Sequence, residues 1–315
     1  MHYLSNLLIL YCCICVCACG KEVITYEDFS EKIEEDDNEG YVARSLQRQV
    51  WLNDLKGLDS PQSIAICGSL MVAVYYSATL KIFNLKTGEL KATMKLPYEP
   101  YSMPHSNTIS FGRDYYRDTD EFPLFYVSQW YSNSENGALV YRIVGENEQY
   151  RIELEQLIRF DDSLIDTVGA GQIDWVVNTD TDELLALTYK LPGDESFLIV
   201  EDNATIVTRC RLPHFSEGKE VTLYNEDIIG VFELEAFQYS QDKVYHEGHI
   251  YALAGYYVSP ESLCLRDIDL NAEKIITKYD LSEYGGEPEG LSILDGELIC
   301  TWVSSTDLYT FPISL

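Results

Sequence analysis

The sequence predicts an all-β chain folded as a β-propeller, most simply as five four-stranded blades. Three observations carry the prediction. Short apolar runs joined by tight turns recur through residues 41–315, and no helical segment of convincing length and period interrupts them. The units open alike, at Pro61-Gln62-Ser63, Pro104-His105-Ser106, Pro288-Glu289-Gly290 and, without the proline, Leu234-Glu235-Ala236. The last unit runs out after three strands, and an isolated strand-like stretch at 41–55 can supply the fourth. Small repeated sheets that share their last member between the two chain ends describe a closed ring without an exposed edge.

Residues 1–20 carry no acidic or basic side chain apart from His2. Leu7 to Cys19 is an apolar core of 13 residues, too short to span a bilayer as a helix and shaped like a secretory signal segment. Its end, Val16-Cys17-Ala18-Cys19, resembles the lipobox of bacterial lipoproteins, in which an aliphatic and two small residues precede the cysteine to be lipidated. The resemblance implies a signal peptide over 1–19 and an acylated Cys19 at the mature amino terminus. The segment departs from the family in lacking an early Lys or Arg and in placing Cys17 where Ser, Ala or Thr is usual. A plain signal peptide cut nearby is the alternative. Gly20 stands where an Asp would mark inner-membrane retention in that family, so the resemblance implies an outer-membrane lipoprotein, periplasmic or surface-exposed.

Residues 20–40 read as an acidic flexible tether. The stretch from Lys21 holds nine Asp or Glu residues and too little apolar area to order itself. The propeller domain, 41–315, follows. The first unit comprises Ile64 to Ile66, Leu70 to Tyr76, Leu80 to Leu85 and Leu90 to Leu96. The second holds Thr108 to Phe111, Leu124 to Trp130, Ala138 to Val144 and Tyr150 to Leu157. The third gives Ile173 to Val177, Leu184 to Tyr189, Phe197 to Val200 and Thr205 to Leu212. An extra segment, Val221 to Val231, precedes a fourth unit of Phe237 to Tyr239, Ile250 to Tyr257, Leu263 to Leu270 and Lys274 to Tyr279. The fifth opens at Pro288 and turns at Asp295-Gly296.

Runs such as Val72-Ala73-Val74-Tyr75 and Phe125-Tyr126-Val127 are apolar on both faces, as a sheet between two neighbours requires. A β-sandwich, the runner-up fold, would alternate more. A six-bladed ring that uses Val221 to Val231 in another blade is the other alternative.

The totals exclude several classes of function. A formal net charge of -30 argues against nucleic acid and against an anionic lipid surface, both of which call for clustered Lys and Arg. Of nine cysteines, five lie in the first twenty residues. Cys67, Cys210, Cys264 and Cys300 sit in apolar runs with no C-x-x-C pair, so they read as small buried hydrophobes and no metal or other cofactor is expected. His246-Glu247-Gly248-His249 lacks the zinc-protease spacing and reads as a hairpin turn. Asn178 to Asp182 starts like a calcium loop without its glycine or closing Glu, and reads as a turn.

In a propeller the first strand of each blade lines the central channel. The aligned openings therefore place Gln62, His105, Gln172, Glu235 and Glu289 around one channel mouth, as candidate ligand-binding residues. The alternative is that these side chains satisfy loop backbone and channel waters. Tyr76, Trp130, Tyr189, Tyr256 and Trp302 recur at the end of each second strand. They read as packing between blades or, if exposed, as a platform for a sugar ring or another flat apolar face, with Trp130 and Trp302 as possible contacts. Glu287 and Glu289 are paired carboxylates, but spacing by two beside a proline does not establish a common site. No catalytic dyad emerges.

On the repeat pattern of 41–315 the chain resembles TolB-like and related propeller lipoproteins. That implies a lipid-anchored envelope propeller binding a small molecule, glycan or protein at the channel mouth, with the membrane reached through its anchor. The competing expectation is an enzyme at the same mouth, glutaminyl cyclotransferase-like or glycan-acting, with Glu235, Glu289 and His105 as acid/base candidates. The Gln62 opening lacks the aromatic-Thr-Gln-Gly pattern that resemblance to the cyclotransferase family would imply.

Overall fold

A computed structural model describes residues 47–52, 55, 61–97, 106–128, 136–146, 149–191, 202–237, 239–256, 259–284, 286–303 and 307–311. The signal segment, tether and Phe197 to Val200 lie outside them.

The described chain is a five-bladed propeller. Blade 1 is the meander β2 (Pro61–Cys67), β3 (Leu70–Tyr75), β4 (Thr79–Asn84) and β5 (Glu89–Lys95). Blade 2 is β6 (Ile109–Phe111), β7 (Phe125–Ser128), β8 (Ala138–Glu146) and β9 (Gln149–Phe160). Blade 3 is β10 (Ala170–Asn178), β11 (Glu183–Tyr189), β12 (Ala204–Arg211) and β14 (Ile228–Glu235). Blade 4 is β15 (Ser240–His246), β16 (His249–Tyr256), β17 (Ser259–Asp269) and β18 (Lys274–Asp280). Blade 5 is β19 (Pro288–Leu294), β20 (Glu297–Trp302) and β21 (Asp307–Phe311), completed by β1 (Gln47–Trp51) from the other chain end. β1 runs antiparallel to β21, with Gln47 opposite Thr310 and Trp51 opposite Asp307. The expected closure holds, and neither the sandwich nor a sixth blade does.

The doubly apolar strands now have a physical reason. One buried cluster fills each seam between neighbouring blades, and alternate side chains of a single strand serve two seams. Val72 and Val74 pack with Phe125, Val127 and Leu139 between blades 1 and 2, whereas Met71, Ala73 and Tyr75 pack with Ile299 and Leu308 between blades 1 and 5. Trp175, Leu184 and Ala186 meet Tyr126 and Val140, while Val176, Leu185 and Leu187 meet Ile250 and Ala252. Leu253 and Leu265 meet Leu291 and Cys300 in the remaining seam. Each fully buried aliphatic side chain contributes about 1.5–3 kcal/mol, so the seams hold the ring together.

Two parts of the predicted layout change. The segment from Val221 to Val231 is shared: β13 (Glu220–Leu223) adds a parallel strand outside β9, and Ile228 onward forms β14, the fourth strand of blade 3, so that the run from Thr205, expected as the fourth strand, is the third, β12. The first strand of blade 4 is β15 rather than Phe237 to Tyr239. Its first half, Ser-Gln-Asp-Lys, is polar because it faces other inner strands, whereas Val244 and Tyr245 pack against the seams on either side. Glu247 and Gly248, both at positive φ, make the expected hairpin turn, as Asp295 and Gly296 do. Asn178 Oδ1 accepts from Asp180 N and Thr181 N, closing the turn read from that stretch.

Candidate functional site

The inner strands β2, β6, β10, β15 and β19 contact one another in a closed circle. In four of them the register slips near the first residue: Pro61 to Ser63, Ala170 to Asp174, Ser240 to Lys243 and Pro288 to Leu291. A bulge leaves residues unpaired with the neighbouring strand and re-aims them. These bulges carry Gln62, Gln172, Gln241 and Glu289 at one end of the ring. Pairing puts the ends of the second strands there too, with Pro61 opposite Tyr75, Ala170 opposite Tyr189 and Pro288 opposite Trp302.

Just inside this mouth one polar network joins all five blades. Asp242 Oδ2 accepts from Ser63 Oγ at 2.5 Å, Leu291 N at 2.8 Å and Ile64 N at 3.3 Å, and Oδ1 accepts from Lys243 N at 2.8 Å. Ser63 Oγ accepts in turn from Ile109 N at 3.0 Å. The wholly buried Lys243 donates to Asp174 Oδ2 at 2.5 Å and to the carbonyl of Gln241. Asp174 also accepts from Gln172 Nε2 at 3.3 Å, and from Thr108 Oγ1 and Ser240 Oγ at 3.4 Å. Burial pushes the carboxyls of Asp174 and Asp242 up; Lys243 and the other donors pull them back. Blades 1 and 4 are not neighbours, yet Ser63 reaches Asp242. At this depth the axis is filled by side chains, and a ligand at this end would rest on a floor.

Above the floor, Asn107 Nδ2 crosses from blade 2 to donate to the Ser240 carbonyl at 3.2 Å. Gln241 Nε2 donates to the Gly255 carbonyl at 3.1 Å and to Glu287 Oε1 at 3.2 Å. Glu287 is half-buried, and burial pushes its carboxyl up to about 7, only partly offset by the Gln241 amide. Half-buried aromatic rings stand at the same end. Tyr239 stacks on Tyr256 at 5.3 Å, Tyr189 donates its hydroxyl to the Phe237 carbonyl at 2.8 Å, and Trp302 makes edge contacts with Tyr284 and Tyr309.

Of the sequence-derived candidates, Gln62, Gln172 and Glu289 lie on inner strands at this mouth. Gln62 and Glu289 are buried and Gln172 is half-buried. Glu235 does not join them. It ends β14, the outer strand of blade 3, where it accepts from Arg266 Nε at 3.1 Å and from Lys278 Nζ. Those cations, together with burial that opposes them, leave its carboxyl below the usual range. His105, Trp130 and the lipidation candidate Cys19 lie outside the described residues. Trp302 ends β20 at the mouth, and Tyr76 lies exposed just beyond β3.

Sequence reasoning missed Asn107, Asp174, Gln241, Asp242 and Lys243. One signal was present: Ser240-Gln241-Asp242 has the form of Pro61-Gln62-Ser63. Among the described residues no group of three or more His, Cys, Asp or Glu could hold a metal ion. Cys67, Cys210, Cys264 and Cys300 are free thiols, and burial pushes Cys210 up to about 12.

No protein-family model matches the chain, and no curated relative matches its sequence. Its fold is similar to that of a solved glutaminyl cyclase from Myxococcus xanthus, at 12% identity and a TM-score of 0.47 over 81% of this chain and 90% of that one. A solved putative oxidoreductase (glucose dehydrogenase) from Thermus thermophilus is similar at 12% identity and a TM-score of 0.46, over 85% of this chain and 100% of that one. Similarity this distant assigns no residue a role.

Proposed function

We propose that the protein is a lipid-anchored, cell-envelope propeller that binds a ligand or partner at the bulged mouth of its ring. The observation that carries the binding reading is the convergence of four bulges on one end, each presenting a Gln or Glu above a filled floor. Bulges of this kind are frequent beside functional sites, and a concave end lined by a few polar groups and aromatic rings is where propellers take ligands. The test is a screen of glycans, peptides and amines against the full-length chain in detergent. A binder should lose affinity in Gln62→Ala and Glu287→Gln while the thermal midpoint holds; binding indifferent to both substitutions would move the site elsewhere.

The anchor and the outer-membrane address rest on the lipobox resemblance at Val16 to Cys19. Labelled fatty acid should enter the wild type and not Cys19→Ala. Equal labelling of the two would remove the anchor from the proposal.

One observation favours catalysis as a second reading. Glu287 has a carboxyl near 7, the range a general acid or base needs at neutral pH. Turnover of a mouth ligand with a pH profile that vanishes in Glu287→Gln would select the enzyme.

A further inference from the structure

We propose that the mouth receives a primary ammonium group carried on a small organic molecule, with the Glu287 carboxylate and Asn107 Oδ1 as its acceptors; this rests on reading the mouth as a ligand site. Asn107 and Glu287 approach consecutive residues of one strand end. Asn107 Nδ2 donates to the carbonyl of Ser240, and Glu287 Oε1 accepts from the side chain of Gln241.

The side-chain donors that β10 and β15 bring to this end are engaged. Gln241 directs its amide hydrogens at Gly255 and Glu287, Gln172 directs its own at Asp174, and Lys243 is held by Asp174 and the Gln241 carbonyl. Two acceptors receive little from them. Asn107 is 4% exposed, yet among the described residues its Oδ1 meets no donor. Turning the amide over would set that oxygen against the Ser240 carbonyl, so the orientation is determined by chemistry. The Glu287 carboxyl has a single hydrogen-bond partner among the described residues, and that partner is the neutral Gln241.

A half-buried carboxylate and a buried amide oxygen call for a ligand that only donates and carries positive charge. An ammonium group does both; a hydroxyl also accepts and brings no charge. A metal ion fits less well, because no three ligating carboxylate, imidazole or thiol side chains converge among the described residues. The half-buried rings of Tyr189, Tyr239, Tyr256 and Trp302 at the same end suit the organic part of such a molecule and attract its charge.

The test follows Asn and Gln side-chain amide resonances of the full-length chain in detergent. The probes are n-propylammonium chloride, with n-propanol and potassium chloride as the neutral and ionic controls. Only the amine should shift Asn107 and Gln241. Glu287→Gln should weaken it by about tenfold, as expected for a hydrogen bond to a charged group, and Glu287→Asp should retain part of the affinity. Thermal midpoints of both variants confirm folding. Equal shifts from propanol or potassium chloride, or unchanged affinity in Glu287→Gln, would overturn the ammonium assignment. So would mouth amides that answer only to the glycans or peptides of the first screen, although the mouth would then remain a ligand site. Silence from every probe would overturn both.

Discussion

Asp242 shows how one residue can hold several blades. Its two oxygens collect a hydroxyl and three backbone N–H groups from blades 1, 4 and 5, at distances from 2.5 to 3.3 Å. Glu287 stands in contrast, with burial but a single donor among the described residues. That difference predicts a pH effect. The unfolded chain loses the Glu287 proton in the ordinary carboxylate range, whereas the native state keeps it to about 7. The native state therefore binds more protons across that window, and this residue's stabilisation, complete at acid pH, is lost as pH rises to 7. Urea midpoints measured from about pH 5 to about pH 8 should fall less in Glu287→Gln than in the wild type. Asp174 and Asp242 are raised too and remain in both proteins, so the comparison isolates Glu287. Parallel curves would mean that its carboxyl titrates as an exposed one.

At the scale of the element, Gly290 decides how closely blades 5 and 1 can pack. A Cβ there would sit 2.8 Å from Thr301 Oγ1 and 2.9 Å from Ile64 Cγ1. Its own N–H donates to Thr301 Oγ1 at 2.8 Å, so neither neighbour can retreat freely. Gly290→Ala should destabilise by about 1–3 kcal/mol. Gly296, at φ 80 in an open turn with nothing within 4 Å, should cost only about 1 kcal/mol when changed to Ala. Denaturant unfolding of the two variants checks the order; a reversed order would mean that the seam between blades 5 and 1 is loose. Elements were legible in the sequence wherever both faces are apolar, as in β3, β7 and β11. β15 was not, because its Gln241, Asp242 and Lys243 are buried against other polar groups. Glu235 misleads for the same reason: the apolar stretch ending β14 mimics a unit opening six residues before the true bulge residue Gln241.

For the whole molecule, charge and closure act against each other. A formal net charge of -30 repels itself most strongly in the compact state, while the five seams and the latch of β1 on β21 hold it closed. The thermal midpoint should therefore rise between low salt and about 0.5 M sodium chloride, as screening shortens the reach of that repulsion to a few ångströms. A midpoint that falls would show that exposed pairs such as Arg159 with Glu220 and Lys190 with Glu233 outweigh it.

The propeller class and its closure were legible in the sequence alone, since a strand apolar on both faces admits few arrangements other than a sheet between sheets, and a fifth unit one strand short calls for the other terminus. Five blades rather than six were decided only by where Val221 to Val231 pairs. The membership of the mouth was decided only in three dimensions. Ser63, Thr108, Asp174, Asp242 and Leu291 lie far apart along the chain and share no motif. Their hydrogen bonds form because the seams draw five inner strands around one axis, and a polar side chain buried there must find its partner across the ring.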